Sequence, residues 1–157
     1  MLSPAGFRFT IKRLPNVSFF TQQVAIPSVT LGTANVPTPF SNIPLPGDHL
    51  VYNELSVTFK VDEDLRNYTE LYGWMVQLGF PESFDQYKAP QARSLENNLV
   101  SEGVLEILNS AKGGNREVVF MDMFPTSITE MSFDTMVSDI AYIEVTATFA
   151  YRMFKVN

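Results

Sequence analysis

A chain of 157 residues can bury a sizeable core without disulfides or metals, and at 45% hydrophobic and 18% charged it is too apolar for disorder. It has no cysteine and one histidine, His49, which excludes disulfide scaffolds, thiolate metal centres, cysteine nucleophiles and His-pair metal sites. Its net charge of −6 has the wrong sign for gripping nucleic-acid phosphates.

The start, Met1-Leu2-Ser3-Pro4-Ala5-Gly6-Phe7-Arg8, lacks a basic stretch followed by an apolar run, so no secretory signal is expected. No window approaches the ~20 apolar residues of a membrane span. One soluble domain over 1–157, made in a cytoplasm, is the expectation.

Phe7, Phe9 and Ile11 alternate with Arg8, Thr10 and Lys12, which predicts a half-buried strand over Phe7–Leu14. A second β-rich run covers Phe19–Ile26 and stops at Pro27, and an extended course resumes at Val29–Thr33. Residues 35–50 carry Pro37, Pro39, Pro44 and Pro46, which remove backbone donors and forbid a central strand or helix. They read as a long loop, an arm, with an edge-strand segment at Thr38–Ile43.

Glu54–Val61 is the clearest strand: Leu55, Val57, Phe59 and Val61 point one way, Glu54, Ser56, Thr58 and Lys60 the other. A helix over about 63–78 follows from apolar residues recurring at three and four from Leu65 to Leu78. The triplet Asp62-Glu63-Asp64 suits its N-terminus as cap and counter-charge. Trp74 lies about 180° from Leu65 on the wheel, off the apolar stripe, and is a candidate for contact outside the core.

Residues 79–102 read as a second long connection. Gly103–Asn109 and Glu117–Met123 are predicted strands joined by hairpin chemistry at Ala111–Asn115. Phe124-Pro125-Thr126 breaks the second of these, and Ile128–Phe133 is a short extended piece. The last strand runs from Ile143 to about Phe154, with Glu144, Thr146 and Thr148 on its polar face. The fold class is mainly β, an antiparallel sandwich or barrel with one amphipathic helix.

No catalytic constellation survives. His49 sits in a Pro/Gly-rich stretch without a partner pattern, and the acidic triplet lacks a calcium-loop arrangement. Lys112-Gly113-Gly114-Asn115 is a turn rather than a phosphate loop. Nothing sets two of Glu130, Asp134, Asp139 and Glu144 at a glycosidase separation. No enzyme, metal or cofactor is expected.

Three blocks carry a family resemblance. Gly47-Asp48, then Leu55-Ser56-Val57-Thr58-Phe59 and Asp62-Glu63 with the Trp74 helix behind them, resembles the tail tube proteins of contractile-tailed bacteriophages. Phe124 to Asp134 followed by Ile143-Glu144-Val145-Thr146 resembles the C-terminal end of that family, and Val24-Ala25-Ile26-Pro27 its early strand-then-proline step. The resemblance implies stacked, hexameric rings forming a hollow conduit for DNA in a virion tail, assembled in the host cytoplasm. Tail sheath and baseplate proteins are the implied partners, and type VI secretion tubes share the fold. Alternative readings are a tube-like baseplate, hub or tube-end ring. A different class is a receptor- or carbohydrate-binding module of a tail fibre, using Tyr52, Tyr68, Tyr72, Trp74 and Tyr87.

Within the tube reading, Glu54, Ser56, Thr58, Glu144, Thr146 and Thr148 are the lumen-facing candidates. Ile43, Pro44, Leu45, Pro46, Gly47, Asp48 and Trp74 are the inter-subunit candidates. Lys60, Arg8 and Lys12 are expected either to pair across subunits or to lie off the channel.

Overall fold

A computed structural model describes residues 6–79, 99–109, 113–136 and 142–157. The chain runs β1 (Phe7–Ile11), α1 (Pro15–Phe19), β2 (Thr21–Ala25), β3 (Val29–Pro37), β4 (Asn42–Tyr52), β5 (Leu55–Lys60) and α2 (Arg66–Gly79). It continues through β6 (Ser101–Leu108), β7 (Gly114–Ile128), β8 (Glu144–Ala150) and β9 (Met153–Val156). Seven strands form one antiparallel sheet in the order β1-β6-β7-β8-β5-β2 with β9 beside β7, while β3 and β4 form a separate ribbon.

The sheet folds over on itself at β7. Its first part pairs β6 on one side and β9 on the other, and its last part, Phe124–Ile128, pairs β8. Between them Asp122 adopts φ 53°, a left-handed conformation that Asp tolerates better than most side chains. The Asp122 carboxylate meets Arg152 Nε at 3.0 Å, and Arg152 lies where the chain turns from β8 to β9. Both neighbouring strands thus bend at one corner. One half-sheet is β1-β6-β7-β9, and the other is β7-β8-β5-β2.

The core lies between the halves because alternation turns one face of each inward. Leu55, Val57, Phe59, Val145, Ala147 and Phe149 meet Phe9, Ile11, Leu105, Val118, Phe120 and Met123 in a single cluster. Each of these side chains larger than alanine contributes about 1.5–3 kcal/mol on burial. Val17 of α1 and Leu71 and Trp74 of α2 join the same cluster. The helices tie to each other through Asn16 and Glu70, whose Nδ2 and Oε1 lie 2.5 Å apart.

Several sequence expectations need correction. The described residues contain two helices where one was expected: the first strand stops at Ile11 rather than Leu14, and Pro15 opens α1, as proline at a helix start permits. The prolines of 35–50 lie in a β-ribbon and not in a loop, with only the tip, 38–41, outside the strands. Pro125 does not break β7, and Ile128–Phe133 is not a separate strand. The last predicted strand is split at Tyr151-Arg152. Residues 80–98 and 110–112 lie outside the described residues, including most of the second connection and the hairpin turn.

The acidic triplet does not cap α2. The helix starts at Arg66, with Asp64 paired to the Arg66 guanidinium at 2.9 Å. Asn67, fully buried, organises this entry instead. Its Oδ1 accepts from the Asp62 and Tyr68 amides at 3.2 and 2.8 Å, and its Nδ2 donates to the Lys60 carbonyl at 2.7 Å. Asn67→Ala strands these main-chain groups and should lower stability by about 2–3 kcal/mol in urea unfolding. A conservative loss below about 0.5 kcal/mol would show that water replaces the amide.

Candidate functional site

The half-sheet β7-β8-β5-β2 has one face on the core and the other in solvent. Register places Thr58 opposite Thr146, Ser56 opposite Thr148 and Lys60 opposite Glu144. Gln23 and Ala25 continue this face on β2 and Ser127 on β7. The Thr58 and Thr146 hydroxyls are 2.9 Å apart, a cross-strand hydrogen bond in which one hydroxyl donates to the other. Thr126 and Thr129 hydroxyls likewise engage the main chain of Thr148 and Thr146. Glu54, exposed just before β5, has the parity of Ser56. Hydroxyls dominate this surface; of its charges, Lys60 and Glu144 sit directly across from one another, and Glu54 stands at its margin.

The same half-sheet is open at both ends. No described strand pairs with the outer edge of β2 or of Phe124–Ile128. Open edges of this kind are templates for another chain.

The β3–β4 ribbon is exposed almost throughout and runs up to 11 residues, about 36 Å at strand rise. Val36 pairs Ile43 and Ala34 pairs Leu45 on one apolar face. At its tip the Thr38 hydroxyl and amide engage Ser41, holding Phe40 98% exposed. Midway a bulge brings Gly47 against Gly32: a Cβ on Gly47 would lie 2.5 Å from the Gly32 carbonyl oxygen, so only glycine fits. Asp48 and His49 lie beside it, Oδ1 and Nδ1 2.6 Å apart and both exposed. Ile43, Pro44, Leu45, Pro46, Gly47 and Asp48 therefore belong to one projecting element.

Trp74 does not. It is 2% exposed, its ring 6.3 Å from Phe149 with the Arg13 guanidinium over it at 5.1 Å, and its Nε1 donates to the Leu99 carbonyl at 3.0 Å. The wheel reading took Leu65 as its reference, but Leu65 precedes the helix and is exposed, while Asn67, Leu71 and Trp74, at i, i+4 and i+7, form the buried stripe. A surface anchor is thereby excluded. Nor do the aromatics form one platform. Tyr52 packs edge-on to Tyr151 and Phe154, and Tyr68 stacks on Tyr72 along α2. Tyr87 lies outside the described residues.

The basic residues divide. Arg8 pairs with Glu106 at 3.3 Å and Lys12 with Glu102, beside the β1–β6 ladder and off the hydroxyl face. Lys60 lies on the hydroxyl face itself, its ammonium 4.5 Å over the Tyr142 ring. The ribbon was missed from sequence although a signal existed. Pro44 and Pro46, two apart, are what a strand shows when its prolines all face one edge.

A family model described as phage tail tube protein matches residues 5–157. The fold matches a chain in the sheath–tube complex of an extracellular contractile injection system, PVC, in its extended state. The TM-score is 0.62 at 12% identity, covering 100% of this chain and 91% of that one. A chain of the 6-fold symmetrised anti-feeding prophage baseplate matches with TM-score 0.64 at 13% identity, covering 96% and 90%. A type six secretion system protein matches with TM-score 0.52 at 16% identity, covering 96% and 81%. No curated protein sequence matches.

The ribbon's base is held by the Tyr151 hydroxyl, which donates to the Asn53 carbonyl at 2.7 Å. Burial, and secondarily the nearby Tyr52, push the Tyr151 phenol above its ordinary value of 10.0. A phenol raised by folding contributes stability that is complete below the unfolded value and is lost as pH rises through the folded one. Stability should therefore fall above about pH 10 with a component that Tyr151→Phe removes, read by denaturant midpoints from pH 8 to 11. Parallel curves for the two proteins would refute it.

Proposed function

The chain belongs to the phage tail tube protein family, whose model spans residues 5–157, and from that premise we propose that it is the repeating subunit of a tail tube. It is a structural protein and not an enzyme. Copies join side by side, the open edge of β2 on one meeting the Phe124–Ile128 edge of the next. Six copies close a ring, and rings stack into a conduit for DNA. The 6-fold symmetrised baseplate among the similar structures supports that ring number. Sheath and baseplate proteins are the partners that this reading implies.

The observation that carries the proposal is one half-sheet with a hydroxyl face, an apolar face and two unpaired edges. Joining those edges removes both hazards at once and turns the hydroxyl face into a continuous wet wall. Glu54, Ser56, Thr58, Glu144, Thr146 and Thr148 then line the lumen. Hydroxyls already bonded to each other or to the main chain offer phosphates little, which suits a channel that must release its cargo.

The ribbon joins stacked rings in this reading. Deleting Ile43–Asp48 leaves the seven-stranded sheet untouched, so the variant should fold and remain unpolymerised in electron micrographs. Tubes of native length from it would exclude the ribbon from assembly. Replacing both Glu54 and Glu144 by Lys would add to Lys60 and leave the face cationic. Particles carrying both changes should assemble but release DNA more slowly, most visibly at low salt. Release at the native rate would remove these two residues from the lumen wall.

A further inference from the structure

The two strands of the exposed ribbon have unequal outer edges. Hydrogen bonds from the Thr38 amide to the Ser41 carbonyl and from the Asn53 amide to the Ser28 carbonyl bracket it. Alternation between these bonds makes Ala34–Leu45 and Val36–Ile43 the mutually bonded pairs. Asn35–Pro44, Thr33–Pro46 and Leu31–Leu50 are then the pairs whose main-chain groups point away from the ribbon. On β4 this outward row contains Pro44 and Pro46, which have no N–H, so that edge cannot extend a sheet. On β3 the outward row of Leu31, Thr33 and Asn35 keeps every donor and acceptor, and Pro37, the last residue of the strand, is the one outward position on it without an N–H.

A second edge is open in a complementary way. The bonds from the Leu108 amide to the Gly6 carbonyl and from the Lys12 amide to the Glu102 carbonyl set the β1–β6 ladder. Phe7, Phe9 and Ile11 therefore direct their main-chain groups away from β6. At Ile11 the α1 region satisfies both: the amide donates to Ser18 Oγ at 2.8 Å, and the carbonyl accepts from the Leu14 amide at 3.1 Å. Phe7 and Phe9 instead face a cleft of about 620 Å³ between β1, α1 and β2, with Pro15, Thr21, Gln22 and Leu108 in its walls.

We infer that this cleft receives the outer edge of β3 from a second copy of the chain, added as a strand beside β1. Main-chain donors and acceptors on Leu31, Thr33 and Asn35 supply the bonds that Phe7 and Phe9 lack, the mode by which extended segments extend open sheets. Charge favours a second copy. The chain is acidic overall, yet Val29–Ser41 contains no ionisable side chain. The charged group lining the cleft, Arg8, is already neutralised by Glu106 at 3.3 Å. Neutral meets neutral, so two acidic copies can dock here without repulsion. The site also adjoins the β2 edge assigned to the ring seam, so a ribbon from the stacked ring lands beside that seam. This inference rests on the tube reading and adds to it the edge, the strand and the receiving cleft.

Proline substitution separates the two edges of the ribbon. Asn35→Pro removes an outward donor from β3, and Asn42→Pro removes one from the blocked β4 edge, without deleting a bond inside the ribbon. With native circular dichroism for both, Asn35→Pro should lower tube yield about tenfold or more, as loss of one net hydrogen bond at each contact predicts, and Asn42→Pro should leave it unchanged. The absence of native cysteine allows a second measurement. Thr10→Cys combined with Ala34→Cys should cross-link in assembled tubes, and Thr10→Cys with Leu45→Cys should not. Equal yields for the two proline variants, or cross-linking through position 45 instead of 34, overturn the inference while tubes still form. If the native chain forms no tubes, the tube reading falls first and the inference with it.

Discussion

One strand belongs to both halves of the sheet, and the rest of the molecule follows from how that strand turns its corner. Strand β7 could not pair β6 and β9 along its first part and β8 along its last without a local reversal of backbone curvature. Asp122 provides it at φ 53°, with Arg152 closing the corner at 3.0 Å. Placing a non-glycine residue there costs about 1–2 kcal/mol. The ion pair and the joined core offset that cost, because the bend is what brings two apolar faces together.

Folding one sheet over in this way leaves edges. A closed barrel would have none, and among the described residues this sheet does not close: β1 and β2 end the path with no further strand beside them. Helix α1 bridges the two and satisfies one main-chain amide, but the strands still present unmade hydrogen bonds. An isolated protein would blunt such edges with charge or proline. Here proline blunts β4 at Pro44 and Pro46 and β3 only at Pro37, its last residue, while β2, the rest of β3 and part of β1 stay competent. Selective blocking is the mark of edges meant for particular partners.

Sequence reasoning worked where burial imposes a period and failed where a third element intervenes. Alternation from Glu54 to Val61 and from Ile143 to Tyr151 translated directly into β5 and β8, because one face of each lies on the core. Trp74 was misplaced because the wheel was centred on Leu65, which the structure leaves exposed before α2, whereas Asn67, Leu71 and Trp74 form the buried stripe. Arg13, just after β1, and Leu99, just before β6, complete the surroundings of Trp74, and neither is visible locally. Pro44 and Pro46 were read as excluding a central strand, and the stretch therefore as a loop, when they forbid only an inward-facing donor.

The sequence by itself determined the class of protein: no thiol or histidine chemistry, an antiparallel β fold, and hydroxyl faces opposite apolar ones. Those properties depend on residue type and short-range alternation, which the linear order contains. Only the tertiary structure decided which faces and edges remain unpaired. That Ser56, Thr58, Thr146 and Thr148 share a surface depends on register between strands some 90 residues apart. So does the opposition of Lys60 and Glu144, and so does the open edge at Phe7 and Phe9. Register is set by the whole core packing at once, and no local pattern encodes it.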